Sequence, residues 1–569
     1  MLHTSTLATF AALALSCSGD ASSSAEAVAS TNAGSEPPTL VSDGETEPIF
    51  DAAAAEEARV RELESKGVFE EDLQRGQTFE DVHETGTVQV RETSLGKIGE
   101  GYFPKHTVVS EDGTSVAWVR LDNDNSGVFR NGERIGESFK LFGTTGVVLS
   151  RDGQRVAYTT SSGSLVKIRL DGDELPGDYL GVSQNGLVFS PDGARFGFVA
   201  ATDEGQFATI DGQRGPVFDG ISSHGIVFSP DSTRVAHAGT KDEAWHVVLD
   251  GELNGPWQAV GNQGVVFSAD SLHVAFAARR DNTWFVVHDG KEFGPYTSVS
   301  ALTFAPVGGR FAFNAEIEKK RAVLVVDGEV SEEHEQLQSD PTFTADGTKL
   351  AYSVSDGETM RVVFEGASGP EFDRMSRKGR RRILVSDDGQ HVAYVGKRDK
   401  ARLVVVDGET VGEHGSLFQR TLQFFPGSTD LLYVTSRNQN TFVQARGEEY
   451  GPYPRIVQES EFISPDGSSF AFAVRDGRRQ RYLRNGEPGD DYAYLYPKLH
   501  TFTDDGHLVY VGRRGKDSFP IVHRQGRGPV FTEVPKSSTF SRSADGNPQF
   551  IALRGDEFFL VEVLPGQDG

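Results

Sequence analysis

The feature that most constrains the fold is a short turn sequence that recurs along most of the chain. Its clearest copy spans residues 187–196, where Ser-Pro-Asp-Gly separates two apolar runs. Proline presets φ at the second turn position, Asp suits the third, and Gly accepts a left-handed backbone at the fourth. Because alternating apolar residues flank the turn, each copy predicts a tight β-hairpin.

The turn returns at intervals of about 40 residues, which is the length of one four-stranded propeller blade. The position of the turn Asp is occupied, in order, by Asp112, Asp152, Asp192, Asp231, Asp270, Val307, Asp346, Asp388, Gly427, Asp466, Asp505 and Asp545. A second turn of the form Asp-Gly follows in phase, as at Asp211-Gly212. Next comes an element that often starts Gly-Pro, as at Gly255-Pro256, which suits an edge strand because proline is tolerated there.

These repeats predict an all-β fold of tandem β-propellers built from four-stranded blades. Since one ring usually holds about four to eight blades, twelve repeats favour two rings of six, over residues 95–328 and 329–569. A division into seven and five blades is the alternative. The last repeat ends before its fourth strand, so we expect the first strand of each ring, near 97–103 and near 329–337, to close it.

The first 94 residues differ from the repeats. Residues 1–17 predict an export signal, because their apolar segment is too short for a membrane span. The end of this segment resembles a bacterial lipoprotein signal, which implies that Cys17 is lipidated; an ordinary secretory signal or a misassigned start codon is the alternative. Residues 18–48 predict a disordered acidic linker. Residues 49–94 predict a short helix over 51–66 and then an irregular segment.

The composition excludes some classes of partner. The formal net charge is −27 over 569 residues, which argues against nucleic-acid and anionic-membrane surfaces, whose signature is a basic patch. The 64 glycines fit a turn-rich β protein. Cys17 is the one cysteine of the sequence, so no internal disulfide forms.

The pattern Phe-Ser-Pro-Asp-Gly-x-x-(Val/Ile)-Ala-(Phe/Tyr), visible in residues 189–193 and 386–394, resembles the repeat of TolB-type, WD-repeat-like β-propellers of the bacterial envelope. The resemblance covers residues 95–565. It implies binding of a protein or a small ligand through loops on one face, in the periplasm or cell envelope, with a lipid anchor as the only membrane association. Because one fold hosts many functions, the resemblance does not identify the partner.

The motifs of the common hydrolases are missing from the sequence, which predicts no catalytic, cofactor or metal site. It has neither a G-x-S-x-G elbow nor an H-E-x-x-H motif, and the turn Asp residues are assigned to turn hydrogen bonds. The predicted function is a non-enzymatic cell-envelope propeller that binds a partner through its loops. The alternative is a hydrolase or lyase acting on glycans or peptides, which would need carboxylates to converge with Tyr, His or Arg in one channel.

Three local features have competing interpretations. Asp122 to Glu133 matches the EF-hand loop pattern, but it lies between two predicted strands, which favours a solvated hairpin tip. The basic run 374–382 would suit an anionic glycan, a lipid headgroup or an acidic partner, or it is a solvated loop. Trp245, Trp257 and Trp284 recur in neighbouring repeats, where blade packing explains them at least as well as sugar stacking.

Overall fold

The computed structural model describes residues 83–122, 126–139, 141–375 and 383–565. Within these ranges every helix or strand element is a strand, and the strands form twelve sheets. None of these residues belongs to a helix of the length and apolarity that a membrane crossing requires. The predicted signal with Cys17, the linker 18–48 and the helix 51–66 lie outside the described residues.

Each sheet is one blade, with strands A to D following one another along the chain. The A strands of neighbouring blades contact one another, which places strand A at the inside of the ring and strand D at the outside. Two strands, β1 (Gly86–Thr87) and β2 (Gln89–Lys97), precede the blades. Strand A is interrupted or bulged near its middle in most blades, and blades 4, 7 and 8 have it in two pieces.

Blades 1 to 4 have the following strands. Blade 1 contains β3 (Tyr102–Val109), β4 (Val116–Arg120), β5 (Ser126–Arg130) and β6 (Glu133–Phe139). Blade 2 contains β7 (Leu141–Leu149), β8 (Val156–Ser162), β9 (Leu165–Leu170) and β10 (Asp173–Glu174). Blade 3 contains β11 (Gly181–Phe189), β12 (Phe196–Thr202), β13 (Gly205–Ile210) and β14 (Gln213–Arg214). Blade 4 contains β15 (Gly220–Ile221), β16 (Val227–Phe228), β17 (Val235–Lys241), β18 (Ala244–Leu249) and β19 (Glu252–Trp257).

Blades 5 to 8 continue the series. Blade 5 contains β20 (Ala259–Phe267), β21 (Val274–Arg280), β22 (Thr283–His288) and β23 (Lys291–Tyr296). Blade 6 contains β24 (Ser298–Phe304), β25 (Phe311–Glu318), β26 (Arg321–Val326) and β27 (Glu329–Val330). Blade 7 contains β28 (Gln336–Leu337), β29 (Thr342–Phe343), β30 (Leu350–Ser355), β31 (Met360–Phe364) and β32 (Ala367–Ser368). Blade 8 contains β33 (Arg374–Met375), β34 (Ile383–Val385), β35 (Val392–Arg398), β36 (Ala401–Val406) and β37 (Glu409–His414).

Blades 9 to 12 complete the series of blades. Blade 9 contains β38 (Ser416–Phe424), β39 (Leu431–Arg437), β40 (Asn440–Ala445) and β41 (Glu448–Tyr453). Blade 10 contains β42 (Phe462–Ile463), β43 (Phe470–Asp476), β44 (Arg479–Arg484) and β45 (Glu487–Pro488). Blade 11 contains β46 (Tyr494–Phe502), β47 (Leu508–Arg514), β48 (Asp517–Val522) and β49 (Gly526–Arg527). Blade 12 contains β50 (Ser541–Arg542), β51 (Pro548–Arg554) and β52 (Glu557–Leu564).

The missing outer strand of blade 12 is β2, which runs antiparallel to β52 with Val90 opposite Val563. One N-terminal strand thus completes the C-terminal blade, and this removes the exposed edge of β52. The predicted closing strand at 97–103 is displaced, because residues from Tyr102 onward form the A strand of blade 1. Strand β1 adds a fifth, parallel strand outside β49 of blade 11.

The blade contacts differ from the predicted division into two rings. Residues near 329–337 do not pair with β52; β27 pairs with β26 of blade 6, and β28 pairs with β30 of blade 7. Buried clusters join blade 6 to blade 7, through Leu324 and Phe343, and blade 12 to blade 1, through Phe558 and Trp118. The twelve four-stranded blades therefore form one ring, in place of rings over 95–328 and 329–569.

Neighbouring blades fit together because each central strand has a large face and a small face. In β21, Val274 and Phe276 pack against alanines of blade 4. The opposite face presents Ala275 and Ala277 to larger side chains of blade 6. Burial of both faces explains why the central strands are almost continuous apolar runs, as sheets covered on both sides usually are.

Candidate functional site

The two faces of the ring differ in their chemistry. Because strands A to D alternate in direction, the A–B turns and the C–D turns lie on one face, which we name the turn face. The B–C loops and the D–A connections lie on the opposite face, which we name the loop face. The two recurring turn motifs of the sequence, Ser-Pro-Asp-Gly and Asp-Gly, belong to the turn face.

The Asp residues of the A–B turns serve the turns themselves. In blade 3, the Ser190 hydroxyl donates to Oδ1 of Asp192 at 2.6 Å, and the Ala194 amide donates to the same oxygen at 3.0 Å. These hydrogen bonds, led by that of Ser190, lower the pKa of Asp192. Gly193 follows with φ of 74°, the left-handed conformation that favours glycine. The ring of acids is therefore a set of turn acceptors.

The Asp residues of the C–D turns make a second recurring set of hydrogen bonds, which was not predicted from the sequence. Asp211 accepts the Phe196 amide through Oδ1 at 3.1 Å and the Arg195 Nε through Oδ2 at 2.8 Å. Nη1 of Arg195 then reaches the next blade, where it donates to the carbonyl oxygen of Thr233 at 2.8 Å. We name this arrangement the latch. Equivalent latches join blades 2 and 3, 4 and 5, and 6 and 7 through Arg155, Arg234 and Arg310.

In two blades a histidine in place of the latch arginine pairs with the Asp of the C–D turn. His273 and His391 place Nδ1 at 2.6 Å from Oδ2 of Asp289 and Asp407, respectively. An imidazole lacks the forked donors with which a guanidinium bonds two groups at once. The A–B turn of the following blade is irregular in both cases, because Val307 or Gly427 occupies the Asp position.

At one of these junctions a third ligand-type side chain is present. Nε2 of His288 lies 3.4 Å from Oδ2 of Asp289, and one ligand atom from each of His273, His288 and Asp289 lies within 4.8 Å of the others. Phe304 and Phe311 enclose the His288 ring, with centroids 5.5 and 4.8 Å away. Burial lowers the pKa of His288.

A buried polar group also occurs near the inner strands of blades 10 and 11. Glu461 and His500 occupy strand positions that hold a buried leucine in other blades, such as Leu187 and Leu422. Burial raises the pKa of Glu461 to about 7 and lowers the pKa of His500 to about 4. The Tyr482 hydroxyl lies 2.9 Å from Nδ1 of His500.

Of these three side chains, Tyr482 lies inside the blade packing, whereas Glu461 and His500 are half-buried. Tyr482 is 1% exposed and belongs to the apolar cluster between blades 10 and 11. The His500 ring stacks at 4.4 Å from Phe462. A substrate would have no access to the Tyr482 hydroxyl without separation of the blades.

The N-terminal segment contributes the most buried acid. The carboxyl group of Glu84 is fully buried and accepts hydrogen bonds from the hydroxyls of Tyr492 and Tyr510. Desolvation raises the pKa of Glu84, and the nearby Asp490 carboxylate adds to this rise. Asp490 in turn accepts the backbone amide of His83 at 2.8 Å. We name this arrangement the clasp, because it holds the segment before β1 against blades 10 and 11.

The first and last residues of the EF-hand-like pattern lie apart in the structure. Asp122 follows β4, whereas Glu133 begins β6, on the other side of β5. A strand rises about 3.3 Å per residue, so the five residues of β5 separate them too far for one ion. This geometry supports the hairpin-tip interpretation. Residues 123–125 lie outside the described ranges.

The structure also locates the three tryptophans and part of the basic run that the sequence singled out. Trp257 is buried, and Trp245 and Trp284 pack against the clusters of blades 4 to 6, so the three serve blade packing. In the basic run, β33 pairs with β35, and residues 376–382 lie outside the described ranges. The His273–His288–Asp289 group was missed because no short motif joins its members; superposing the repeats would have revealed His288 at a position that is apolar in most blades.

The twelve blades in a closed ring define the chain as a β-propeller repeat protein. A comparison with protein-family models found no match, and a comparison with curated protein sequences found none either. Among solved structures, the crystal structure of a eukaryotic initiation factor is similar at 14% identity and a TM-score of 0.32, covering 65% of this chain and 94% of that one. The Dos1 propeller is similar at 12% identity and a TM-score of 0.25, covering 52% and 91%.

Proposed function

We propose that this propeller is a non-enzymatic binding protein of the cell envelope that recognises a partner protein through its loop face. A propeller fold fits a protein-binding role, because a rigid ring presents many loops on one side. On the turn face, polar side chains bond within each turn and across blade junctions. The difference between the faces is the observation that carries the proposal.

The charge of the loop face varies from blade to blade, as is expected of a surface that recognises a specific partner. The B–C loops of blades 3 and 4 are acidic, with exposed Glu204 and Glu243. Those of blades 8, 10 and 11 carry exposed Lys400, Arg478 and Lys516. In a chain of net charge −27, this basic sector is the surface that best complements an acidic partner, because complementary charge steers and orients association.

Site-specific photocrosslinking in the producing cells tests this assignment. A photoreactive amino acid at position 400, 478 or 516 is expected to capture a discrete partner, and the double reversal K400E/K516E is expected to abolish capture. The same amino acid at Arg151 or Lys291, exposed basic residues of the turn face, is the matched control. Equal capture from both faces would contradict the proposal.

We also propose that the protein is exported and tethered through Cys17. The apolar leader before Cys17 supports export, and the polar stretch 18–48 would serve as the tether. Metabolic labelling with a palmitate analogue is expected to mark the wild-type protein and to leave C17A unlabelled. A wild-type chain recovered unlabelled from the cytoplasm would contradict the tether.

A hydrolase or lyase on this scaffold is the second candidate. The group formed by Glu461, Tyr482 and His500 is the observation nearest to the constellation that such chemistry requires. Tyr482 is buried in the apolar cluster between blades 10 and 11, and this burial favours binding over turnover. Hydrolysis of a glycan or peptide library that stops in E461Q would reverse this preference.

A further inference from the structure

The junction of blades 5 and 6 departs from the repeat at several positions at once. His273 replaces the latch arginine, His288 replaces an apolar residue, and Val307 replaces the turn Asp. Residues equivalent to His288 in other blades include Leu170, Ile210, Leu249, Val326 and Val406. The first two departures bring a second and a third ligand-type side chain to Asp289.

His288 is costly at this position unless it has a partner. Its Nε2 atom is buried and makes no hydrogen bond within the described part of the chain. A buried polar atom without a hydrogen-bond partner destabilises the folded state. The apolar residues at this position in most other blades show that the fold itself does not require an imidazole there. The nitrogen lone pair points instead to a ligand that the imidazole would hold.

We propose that His273, His288 and Asp289 bind a divalent transition-metal ion of the zinc type. Two imidazoles and one carboxylate suit Zn²⁺ and its neighbours, whereas Ca²⁺ and Mg²⁺ prefer oxygen ligands. Bonds of about 2.0–2.1 Å at tetrahedral angles separate ligand atoms by about 3.4 Å. The distance of 3.4 Å between Nε2 of His288 and Oδ2 of Asp289 matches this value.

The third ligand needs only a local change. Nδ1 of His273 and Oδ2 of Asp289 are 2.6 Å apart and share a proton, which the ion would displace as the two atoms separate. Metal binding ordinarily releases protons in this way. Oδ1 of Asp289 still accepts the Val274 amide at 2.9 Å, which fixes the orientation of the carboxylate. Three protein ligands leave the fourth position of a tetrahedral ion to water or to a partner's side chain.

Blade 8 provides an internal control. His391 and Asp407 repeat the histidine–aspartate pair with the same distance of 2.6 Å, but Val406 occupies the position of His288. Two donors hold an ion weakly compared with three. The proposal therefore predicts one strong site in the chain, at the junction of blades 5 and 6, and it does not depend on the proposed partner.

Titration of the full-length protein with ZnCl₂, followed by calorimetry, tests the site. The wild type is expected to bind one ion per chain, and H288V is expected to weaken binding by more than about 100-fold, beyond the loss from changes in outer-shell residues. H391R is expected to bind as the wild type does. Circular dichroism and the melting temperature check folding, and valine is the natural residue in blades 6 and 8.

Replacing Zn²⁺ by Co²⁺ gives a spectroscopic signal that H288V would not change if His288 had only a structural role. A tetrahedral site is expected to give intense visible absorption bands in the wild type and H391R, and to lose them in H288V. Unchanged zinc affinity in a folded H288V, or no uptake of the ion by the wild type, would overturn the proposal. Loss of binding in H391R would overturn it as well, because it would place the ion in blade 8.

Discussion

The Tyr510 hydroxyl donates to Oε1 of Glu84 at 2.5 Å, although 426 positions separate the two residues in sequence. Glu84 belongs to the N-terminal segment and Tyr510 to the central region of blade 11, so this contact fixes the start of the described chain to its penultimate blade. Gly489 makes room for the carboxyl group, because a Cβ at this position would lie 2.5 Å from Oε1 of Glu84.

The clasp predicts a pH-dependent contribution to stability. Because burial raises the pKa of Glu84 above its ordinary value, the folded protein holds this proton more tightly than the unfolded chain. The contribution is therefore complete below the ordinary pKa of 4.5 and is lost as pH rises through the folded pKa. Urea unfolding of E84Q is expected to lack this dependence, whereas E84A should lose about 2–4 kcal/mol, since it leaves two buried hydroxyls unpaired. A wild-type pH profile equal to that of E84Q would contradict this account.

Ring closure is predicted to depend on β2. A chain that starts at residue 83 keeps the clasp, β1 and β2, and we expect it to remain monomeric with the melting temperature of the full chain. A chain that starts at residue 98 lacks β2, so β52 becomes an exposed edge that can pair with another molecule. Size-exclusion chromatography should then show higher oligomers, and the melting temperature should fall. A monomeric chain from residue 98 with an unchanged melting temperature would show that β2 is dispensable.

The latch is predicted to stabilise single blade junctions. R195M removes the bond to Asp211 and the bonds to carbonyl oxygens of blade 4, and we expect a loss of about 1–2 kcal/mol. Hydrogen exchange should increase at the junction of blades 3 and 4. R214M, which removes an exposed ion pair with Glu204, is the control and should change stability by less than about 0.5 kcal/mol. Equal effects of the two substitutions would argue against a special role of the latch.

The local sequence predicted the local structure well, but it did not predict features that depend on contacts between residues far apart in the sequence. The A–B turns depend on a few adjacent residues, so Ser190 to Gly193 revealed their geometry without any other information. The closing strand and the number of rings depend on packing between blades, such as Leu324 with Phe343, and no spacing between motifs encodes the angle between two sheets. Similarly, Glu84 could not be assigned from sequence, because both of its tyrosine partners are more than 400 positions away.

Glu461 is predicted to destabilise the ring at neutral and alkaline pH. Its pKa is about 7 in the folded protein, against an ordinary value of 4.5, because burial disfavours the carboxylate. The loss of stability caused by the ionised Glu461 carboxylate is absent below about pH 4.5, grows up to pH 7 and is then constant. The difference between the two pKa values corresponds to at most about 3 kcal/mol. E461L places at this position the residue found at Leu187 and Leu422, so urea unfolding should show a stability gain at pH 8 that shrinks towards pH 5. E459Q, at the exposed neighbouring acid, should show a much smaller trend, because the Glu459 carboxylate is the smallest contributor to the raised pKa of Glu461. A gain from E461L that does not change with pH would assign the effect to packing and not to charge.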